Sequence, residues 1–221
     1  MLCQEIQLEN VTKIVKKKLI IFDVDGVLFD SKKNMSNSWK KVKKKFKLKK
    51  SFNSYFSYVG LPFSKILFNL RIKDNLREIE RLYKNESLKL LNQITLYPNV
   101  KETITNLRKN YKLAIVTSKD ITRTKILLKK NKIPIQVVIS PNKTLRGKPH
   151  ADPILKAIKK SKVKKNDSIY IGDTMIDYKC AINSGIRYIH AKYGYSQVRI
   201  SSKYVISKFN SLPRMLRDIN F

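Results

Sequence analysis

The sequence predicts an α/β fold: a three-layer, Rossmann-like parallel sheet core with a helical cap inserted near its start. Three observations carry this expectation. From residue 96 onward, short apolar runs alternate with stretches of helical period. Near the N-terminus, the apolar run Leu19 to Phe22 stops abruptly at Asp23-Val24-Asp25-Gly26, the mark of a buried strand followed by a turn. Between them, residues 32–95 change texture: they are helix-like and carry seventeen Lys and Arg against four acids. Strands joined by helices imply right-handed crossovers and a parallel sheet covered on both faces.

Taken in order, residues 1–17 read as a lead-in in which Ile6, Val11, Ile14 and Val15 would line one helix face. Residues 18–31 hold the first strand and its turn. In the inserted segment, Trp39, Val42 and Phe46 fall on one face of a lysine-rich helix, with Trp39 expected in the segment's own core. Further helices are expected around Ile66, Leu67 and Leu70 and around Leu76, Ile79 and Leu82, with a break at Gly60-Leu61-Pro62. Val100, Ile104 and Leu107 then give a helix, residues 113–116 a strand, and residues 121–130 a helix with Asp120 as its N-cap. Residues 135–139 and 169–171 read as strands flanking a helix with Pro153 in its first turn. Residues 175–184 read as a helix stopped by Gly185. Strands at 186–189 and 204–206 and a helix near Leu212-Pro213 complete the chain. The expected organisation is therefore a core of residues 1–31 and 96–221, with 32–95 as the insertion.

Composition sets further bounds. The 221 residues are 42% hydrophobic, enough for a sizeable core. No apolar run approaches a membrane span, and Glu5 and Glu9 interrupt any signal-peptide pattern. Cys3 and Cys180 make neither a disulfide framework nor a zinc site, so a cytoplasmic protein is expected. The net charge is +32, built from 38 Lys but only 10 Arg. Selected phosphate binding more often enriches Arg. With Asn and Ile abundant and Gly scarce, compositional drift explains the excess better than a nucleic-acid surface does. Against that background the sixteen acids are informative: Asp23, Asp25, Asp173 and Asp177 all sit beside apolar runs that read as strands.

Asp23 and Asp25 are close enough to repel unless a cation or a shared proton intervenes, and an all-oxygen donor set points to Mg²⁺. In a parallel α/β sheet the ligand lies beyond the carboxyl ends of the strands. Asp23, Thr117 and Asp173 each occupy such an end. Ser118 follows Thr117, Lys148 lies in Gly147-Lys148-Pro149, and Gly172-Asp173-Thr174-Met175-Ile176-Asp177 places two acids four residues apart.

Each piece is common alone, but their order is specific. The segments from Phe22 to Ser31 (FDVDGVLFDS), from Ile115 to Ser118, from Gly147 to Pro149 and from Ile171 to Asp177 resemble the haloacid dehalogenase superfamily. The tail through Tyr193-Gly194-Tyr195 and residues 204–206, with the helical insertion, looks like its phosphoglycolate phosphatase-like branch. The resemblance implies a Mg²⁺-dependent phosphatase acting on a small phosphorylated metabolite through an aspartyl-phosphate. Asp23 would be the nucleophile and Asp25 the general acid and then base. Mg²⁺ would be held by Asp23, the Asp25 backbone carbonyl and Asp173. Thr117, Ser118 and Lys148 would bind the phosphoryl oxygens, and Asp177 would orient Lys148 or metal-bound water. Dehalogenases of the superfamily lack an acid equivalent to Asp25, so its presence favours phosphate chemistry. Two departures from the branch are mild: Asn99 stands where Gly is frequent and Ser118 where Asn is frequent. A sugar phosphomutase of the β-phosphoglucomutase kind is one alternative. A polyanion-binding protein using the basic insertion, with eight lysines in residues 40–50, is another. Lys65 and Arg71 are candidates for an anionic substrate tail, and His150 for the site rim. His190 and Cys180 read as structural. Neither a membrane nor a nucleic-acid partner is expected, and the protein would be a monomer or a homodimer.

Overall fold

The computed structural model describes residues 17–142, 145–196 and 198–221. The expected helix face in the lead-in, and Cys3, lie outside them.

The first strand, β1 (Leu19–Phe22), is followed by a tight turn and a two-residue strand, β2 (Phe29–Asp30). Four helices come next: α1 (Lys32–Lys45), α2 (Phe52–Phe56), α3 (Phe63–Asn69) and α4 (Leu76–Lys89). The short β3 (Thr95–Leu96) returns antiparallel to β2, pairing Phe29 with Leu96 and Asp30 with Thr95. This two-strand ribbon is where the chain leaves the sheet and re-enters it.

Alternation then proceeds as expected: α5 (Val100–Asn110), β4 (Lys112–Val116), α6 (Ile121–Lys130), β5 (Val137–Ile139), α7 (Asp152–Ser161), β6 (Ser168–Gly172), α8 (Met175–Ser184), β7 (Arg187–Ala191), β8 (Tyr204–Ile206) and α9 (Leu212–Asp218). Asp120 caps α6, accepting a hydrogen bond from the Arg123 amide, and Gly185 ends α8 in the left-handed conformation.

Six parallel strands form one sheet in the order β5-β4-β1-β6-β7-β8. The chain builds outward from β1 on one side through β4 and β5, then returns to fill the other side through β6, β7 and β8. The reversal falls at β1, and such a switch point opens a crevice at the carboxyl ends of the strands. Side chains of β1 alternate between the two faces. Ile20 and Phe22 join a core with Ile104, Ile115 and Ile171 under α5 and α9. Leu19 and Ile21 join Val116, Tyr170 and Ala181 under α7 and α8. A third hydrophobic cluster belongs to helices α1–α4, centred on Trp39, Tyr55, Leu67, Ile79 and Tyr83; among the described residues the one buried member it takes from elsewhere in the chain is Tyr195. At about 25 cal/mol per Å² of apolar area, three such clusters supply the main drive to fold.

Candidate active site

Strand register brings the acids together. Phe22 pairs with Ile115 on one side and with Ile171 on the other. The residues that follow these strands, Asp23, Thr117 and Asp173, therefore emerge side by side at the switch point. All three are buried.

The turn after β1 is wound tightly. The amides of Leu28 and Phe29 both donate to the Val24 carbonyl, and the Gly26 amide donates to that of Phe29. Gly26 sits at φ +86°, and a Cβ there would lie 2.0 Å from Asp173 Oδ2, so no other residue fits. Gly194 presses from the other side, where a Cβ would lie 2.3 Å from that of Asp173. The Tyr195 amide donates to Asp173 Oδ2 at 2.6 Å. Asp173 is thus fixed between two glycine-bearing loops and one amide.

Asp177 is held differently. Lys148 Nζ, 2.7 Å away, and Tyr170 Oη, 2.8 Å away, both donate to its Oδ1; the Thr174 amide and hydroxyl donate to its Oδ2. Thr174 and Asp177 together form a capping box at the start of α8. The sequence motif is therefore two devices in one: Asp173 at the strand end, Asp177 tying the helix start to Lys148.

Asp23, Asp173 and Asp177 offer carboxylate oxygens within 4.8 Å of one another. Lys148 Nζ lies 3.0 Å from Asp23 Oδ1 and supplies the cluster's one ammonium. Three buried acids against one cation leave an excess of negative charge, which is costly without a further positive group. The strain shows in the acidities. Burial pushes the Asp23 carboxyl up to about 7 despite Lys148. Burial, with Asp177 and Asp23 beside it, holds Asp173 well above the ordinary carboxylate range. Burial acts on Asp177 in the same direction, but Lys148 outweighs it and holds that acid below its usual value.

The donor set fits a hard divalent cation. Asp173 Oδ1 is buried with no hydrogen-bond donor and Asp23 Oδ1 meets only the Lys148 ammonium, whereas both oxygens of Asp177 are fully used. Two buried carboxylates short of donors, all-oxygen chemistry and excess negative charge suit a hard divalent cation such as Mg²⁺. Asp177 spends its carboxylate on Lys148, Tyr170 and Thr174 instead.

Above the cluster lies a cavity of about 50 Å³, lined by Asp23, Asp25, Thr117 and Ser118 from the core side and by Tyr55, Phe63 and Tyr83 from the helical segment. Asp25 faces it with Oδ1 held by the Ser31 hydroxyl at 2.5 Å and by Lys119 Nζ at 3.1 Å. Thr117 Oγ1 accepts from the Lys119 amide. Ser118 spends its hydroxyl on the Gly60 carbonyl, 2.6 Å away in the helical segment. Its Oγ is an inter-segment tie here, a use the sequence reading did not foresee.

Three groups at this site escaped that reading. Lys119 and Arg123, both buried, line the cavity from the start of α6. Lys119 was legible as the neighbour of Thr117-Ser118; Arg123 was one more cation on a basic helix. Tyr195 shows in the sequence only as part of the tail motif. Conversely, Lys65 and Arg71 do not line the cavity. Lys65 stacks over exposed Phe68, and Arg71 lines a groove on the outer side of the helices with Lys47 and Lys50. His150 is exposed, and its carbonyl accepts from buried Cys180. His190 and Trp39 are both buried, Trp39 within the cluster of helices α1–α4. Among the described residues no helix is long and apolar enough to cross a membrane.

Comparison with known proteins accounts for this constellation. The family model "Haloacid dehalogenase-like hydrolase" matches residues 20–191. A phosphoglycolate phosphatase from Nitrosospira multiformis is 26% identical over 195 residues, covering 82% of this chain and 86% of the relative. The pyrophosphatase PpaX of Bacillus mycoides is 24% identical over 222 residues, covering 93% of this chain and 100% of its own. Among solved structures, a hydrolase from Pseudomonas syringae superimposes with a TM-score of 0.81 at 24% identity, covering 92% of this chain and 99% of its own. The matched span runs from the first strand through β7 and takes in all the acids gathered at the switch point: the chain belongs to the haloacid dehalogenase-like hydrolases, and it is an enzyme of that family.

Proposed function

We propose that this hydrolase is a Mg²⁺-dependent phosphatase that cleaves a small phosphate monoester through an aspartyl-phosphate on Asp23. The observation that carries the reading is the pairing of two buried carboxylates, Asp173 with an oxygen that meets no donor and Asp23 with one that meets only the Lys148 ammonium, beside a third acid that Lys148 also holds. The relatives named phosphoglycolate phosphatase and pyrophosphatase both act, by those names, on small phosphorylated compounds. Asp25 supports phosphate chemistry because it provides a second carboxylate on the cavity side.

In this mechanism an Asp23 oxygen attacks phosphorus as the bond to the leaving oxygen breaks. Asp25 gives its proton to the departing alkoxide. Water then attacks the phosphorus of the acyl phosphate, Asp25 takes the water's proton, and the Asp23–phosphorus bond breaks to release inorganic phosphate. Lys119, 3.1 Å from Asp25, and Ser31 orient that carboxyl for both transfers. Thr117 and Lys148 bind phosphoryl oxygens, where charge spreads as the bonds change. Asp177 and Tyr170 hold the Lys148 ammonium beside the nucleophile, 3.0 Å from Asp23 Oδ1. Asp23, Asp173 and the Asp25 carbonyl would hold Mg²⁺, which when bound supplies charge neutralisation and Lewis acidity. Helices α1–α4 act as a cap. The Ser118–Gly60 bond, the Phe56–Tyr195 ring contact at 5.2 Å and the fit of Pro62 against Gly147 close it over the site and exclude bulk water.

The test is hydrolysis of a panel of phosphorylated metabolites with and without Mg²⁺. Wild type should turn over at least one member only with the metal, and Asp23→Asn should lose on the order of 10⁵-fold or more, the scale of removing an enzyme's nucleophile. Undiminished turnover by Asp23→Asn would sink the assignment.

A further inference from the structure

We propose that Tyr195 is a positioning residue for the general acid: through Ser31 it holds the Asp25 carboxyl in place, from a backbone anchored on Asp173. The inference rests on the phosphatase reading and adds to it a residue that does not itself line the cavity.

Tyr195 reaches two acids of the site, one from each end. At the backbone end its amide donates to Asp173 Oδ2 at 2.6 Å. At the side-chain end the phenol oxygen accepts from the Ser31 amide at 2.5 Å and donates to Asp30 Oδ1 at 2.8 Å. Tyr97 hydrogen-bonds the same hydroxyl. Burial holds the Tyr195 phenol well above its ordinary value, so it keeps the proton it shares with Asp30. The Ser31 hydroxyl in turn donates to Asp25 Oδ1 at 2.5 Å. One serine therefore separates Tyr195 from the Asp25 carboxyl.

The serine is the telling member of this chain. Ser31 is buried and stands at the N-cap of α1, where the chain leaves β2 for the helical segment. A serine there ordinarily spends its hydroxyl on an amide of the first helical turn. Ser31 makes no such cap bond, and its hydroxyl goes to Asp25 instead. The direction of that hydroxyl depends on how the Ser31 backbone is held, and the bond from its amide to the Tyr195 phenol holds it. The Tyr195 ring is separately occupied: it is buried in the cluster of helices α1–α4 and meets the Phe56 ring at 5.2 Å. Packing of that kind needs the ring alone. The hydroxyl, aimed at the residue before α1, serves the second purpose.

The experiment compares ethyl phosphate with 4-nitrophenyl phosphate as substrates for wild type, Tyr195→Phe, Ser31→Ala, the double variant and Asp25→Asn, all at saturating Mg²⁺. Ethoxide needs a proton to leave, and 4-nitrophenolate does not. The quantity compared is kcat/KM, which reports the steps up to departure of the leaving group and excludes the later attack of water. Tyr195→Phe keeps the ring and the amide and loses only the hydroxyl. Its kcat/KM on ethyl phosphate should fall about 10- to 100-fold, a part of the roughly 10²- to 10⁴-fold that a positioned proton donor contributes, and its fall on 4-nitrophenyl phosphate should be about tenfold smaller or less. The ratio of the two probes on one preparation cancels any fraction of unfolded protein. The double variant should be no worse on ethyl phosphate than Ser31→Ala, because both changes act on the same carboxyl. No fall, or parallel falls on the two probes, in Tyr195→Phe overturns the proposal, since lost packing would lower both alike. Losses that multiply in the double variant overturn it as well. Asp25→Asn separates the two readings. If it is selective for ethyl phosphate and Tyr195→Phe is not, the proposal alone fails. If Asp25→Asn lowers both probes equally, the general-acid reading fails and takes the proposal with it. Wild type inactive on both probes and on every other phosphate ester sinks the phosphatase reading itself.

Discussion

At the scale of single residues, one charged cluster is asked to be both a support and a binding site, and its members divide the task by hydrogen bonding. Asp177 has its carboxylate fully occupied, so its removal should act on stability first. Asp177→Ala leaves buried Lys148 with one acid instead of two and deprives α8 of its capping box. Breaking a buried pair from one side costs about 3–5 kcal/mol, and urea unfolding should register a loss near the lower end because Asp23 remains. Asp23 and Asp173 are the opposite case, carboxyls under strain in the metal-free protein. Burial raises Asp23 from 3.8 to about 7. Between those values the folded chain keeps a proton that the unfolded chain has lost. This stabilisation is complete below about pH 4 and disappears as pH rises through 7. Asp173 shifts in the same direction. Mg²⁺ must displace those protons at low pH and meets free carboxylates at high pH. Added Mg²⁺ should therefore raise Tm more at pH 8 than at pH 5.5, and Asp173→Asn should abolish most of the gain. Equal gains at both pH values in scanning calorimetry would count against the assigned ligands.

At the scale of elements, a chain with only six glycines must end its helices by other means. Lys162 follows α7 at φ 52°, ψ 49°, and Lys47, Lys132 and Asn220 also hold left-handed backbone beyond helices. A non-glycine residue in that region costs on the order of 1 kcal/mol. Lys162→Gly should raise Tm by roughly 2–4 °C, the shift expected per kcal/mol in a domain of this size, and leave hydrolysis untouched. The same logic explains Asn99, which sits at φ 62° in the slot where branch relatives often carry glycine. Elements with strong periodicity were legible in the sequence: the bounds of α6, α8 and β8 agree residue for residue. The β2–β3 ribbon was not, because two residues per strand carry no period; nor was α2, five residues long. The acids of the site were legible because acids are rare in this chain. Lys119 and Arg123 were hidden for the converse reason: among 48 basic residues, burial alone distinguishes them, and burial is not written in local sequence. Ser118 misled in a third way, since a hydroxyl beside a phosphate site can equally tie down a neighbouring loop.

At the scale of the whole molecule, the net charge of +32 acts on stability whatever its origin. The lysines of residues 40–50 are all exposed, and none of them pairs with an acid among the described residues. Self-repulsion of like charges favours expanded chains, and salt relieves it as the screening length falls from about 30 Å at 0.01 M to about 3 Å at 1 M. Few ion pairs exist to be weakened in exchange: the exposed ones, such as Lys84–Glu80 and Arg146–Asp152, are worth at most about 1 kcal/mol each. Repulsion should therefore dominate, and Tm should rise steadily from 10 mM to 500 mM KCl. A flat or falling curve would mean that the lysines are spaced widely enough to ignore one another. The same titration bears on the basic insertion as a polyanion surface. A site that neutralises several phosphates loses nucleic-acid affinity with a log–log slope near −0.9 per phosphate contacted. Scattered lysines of compositional origin bind weakly and without a defined stoichiometry. If Tm rises with salt while a duplex oligonucleotide binds only below about 50 mM KCl, the charge is a load that the fold carries. Tight binding that persists at 150 mM with a slope of several units would instead give the outer face of the helical segment a partner of its own, independent of the chemistry at Asp23.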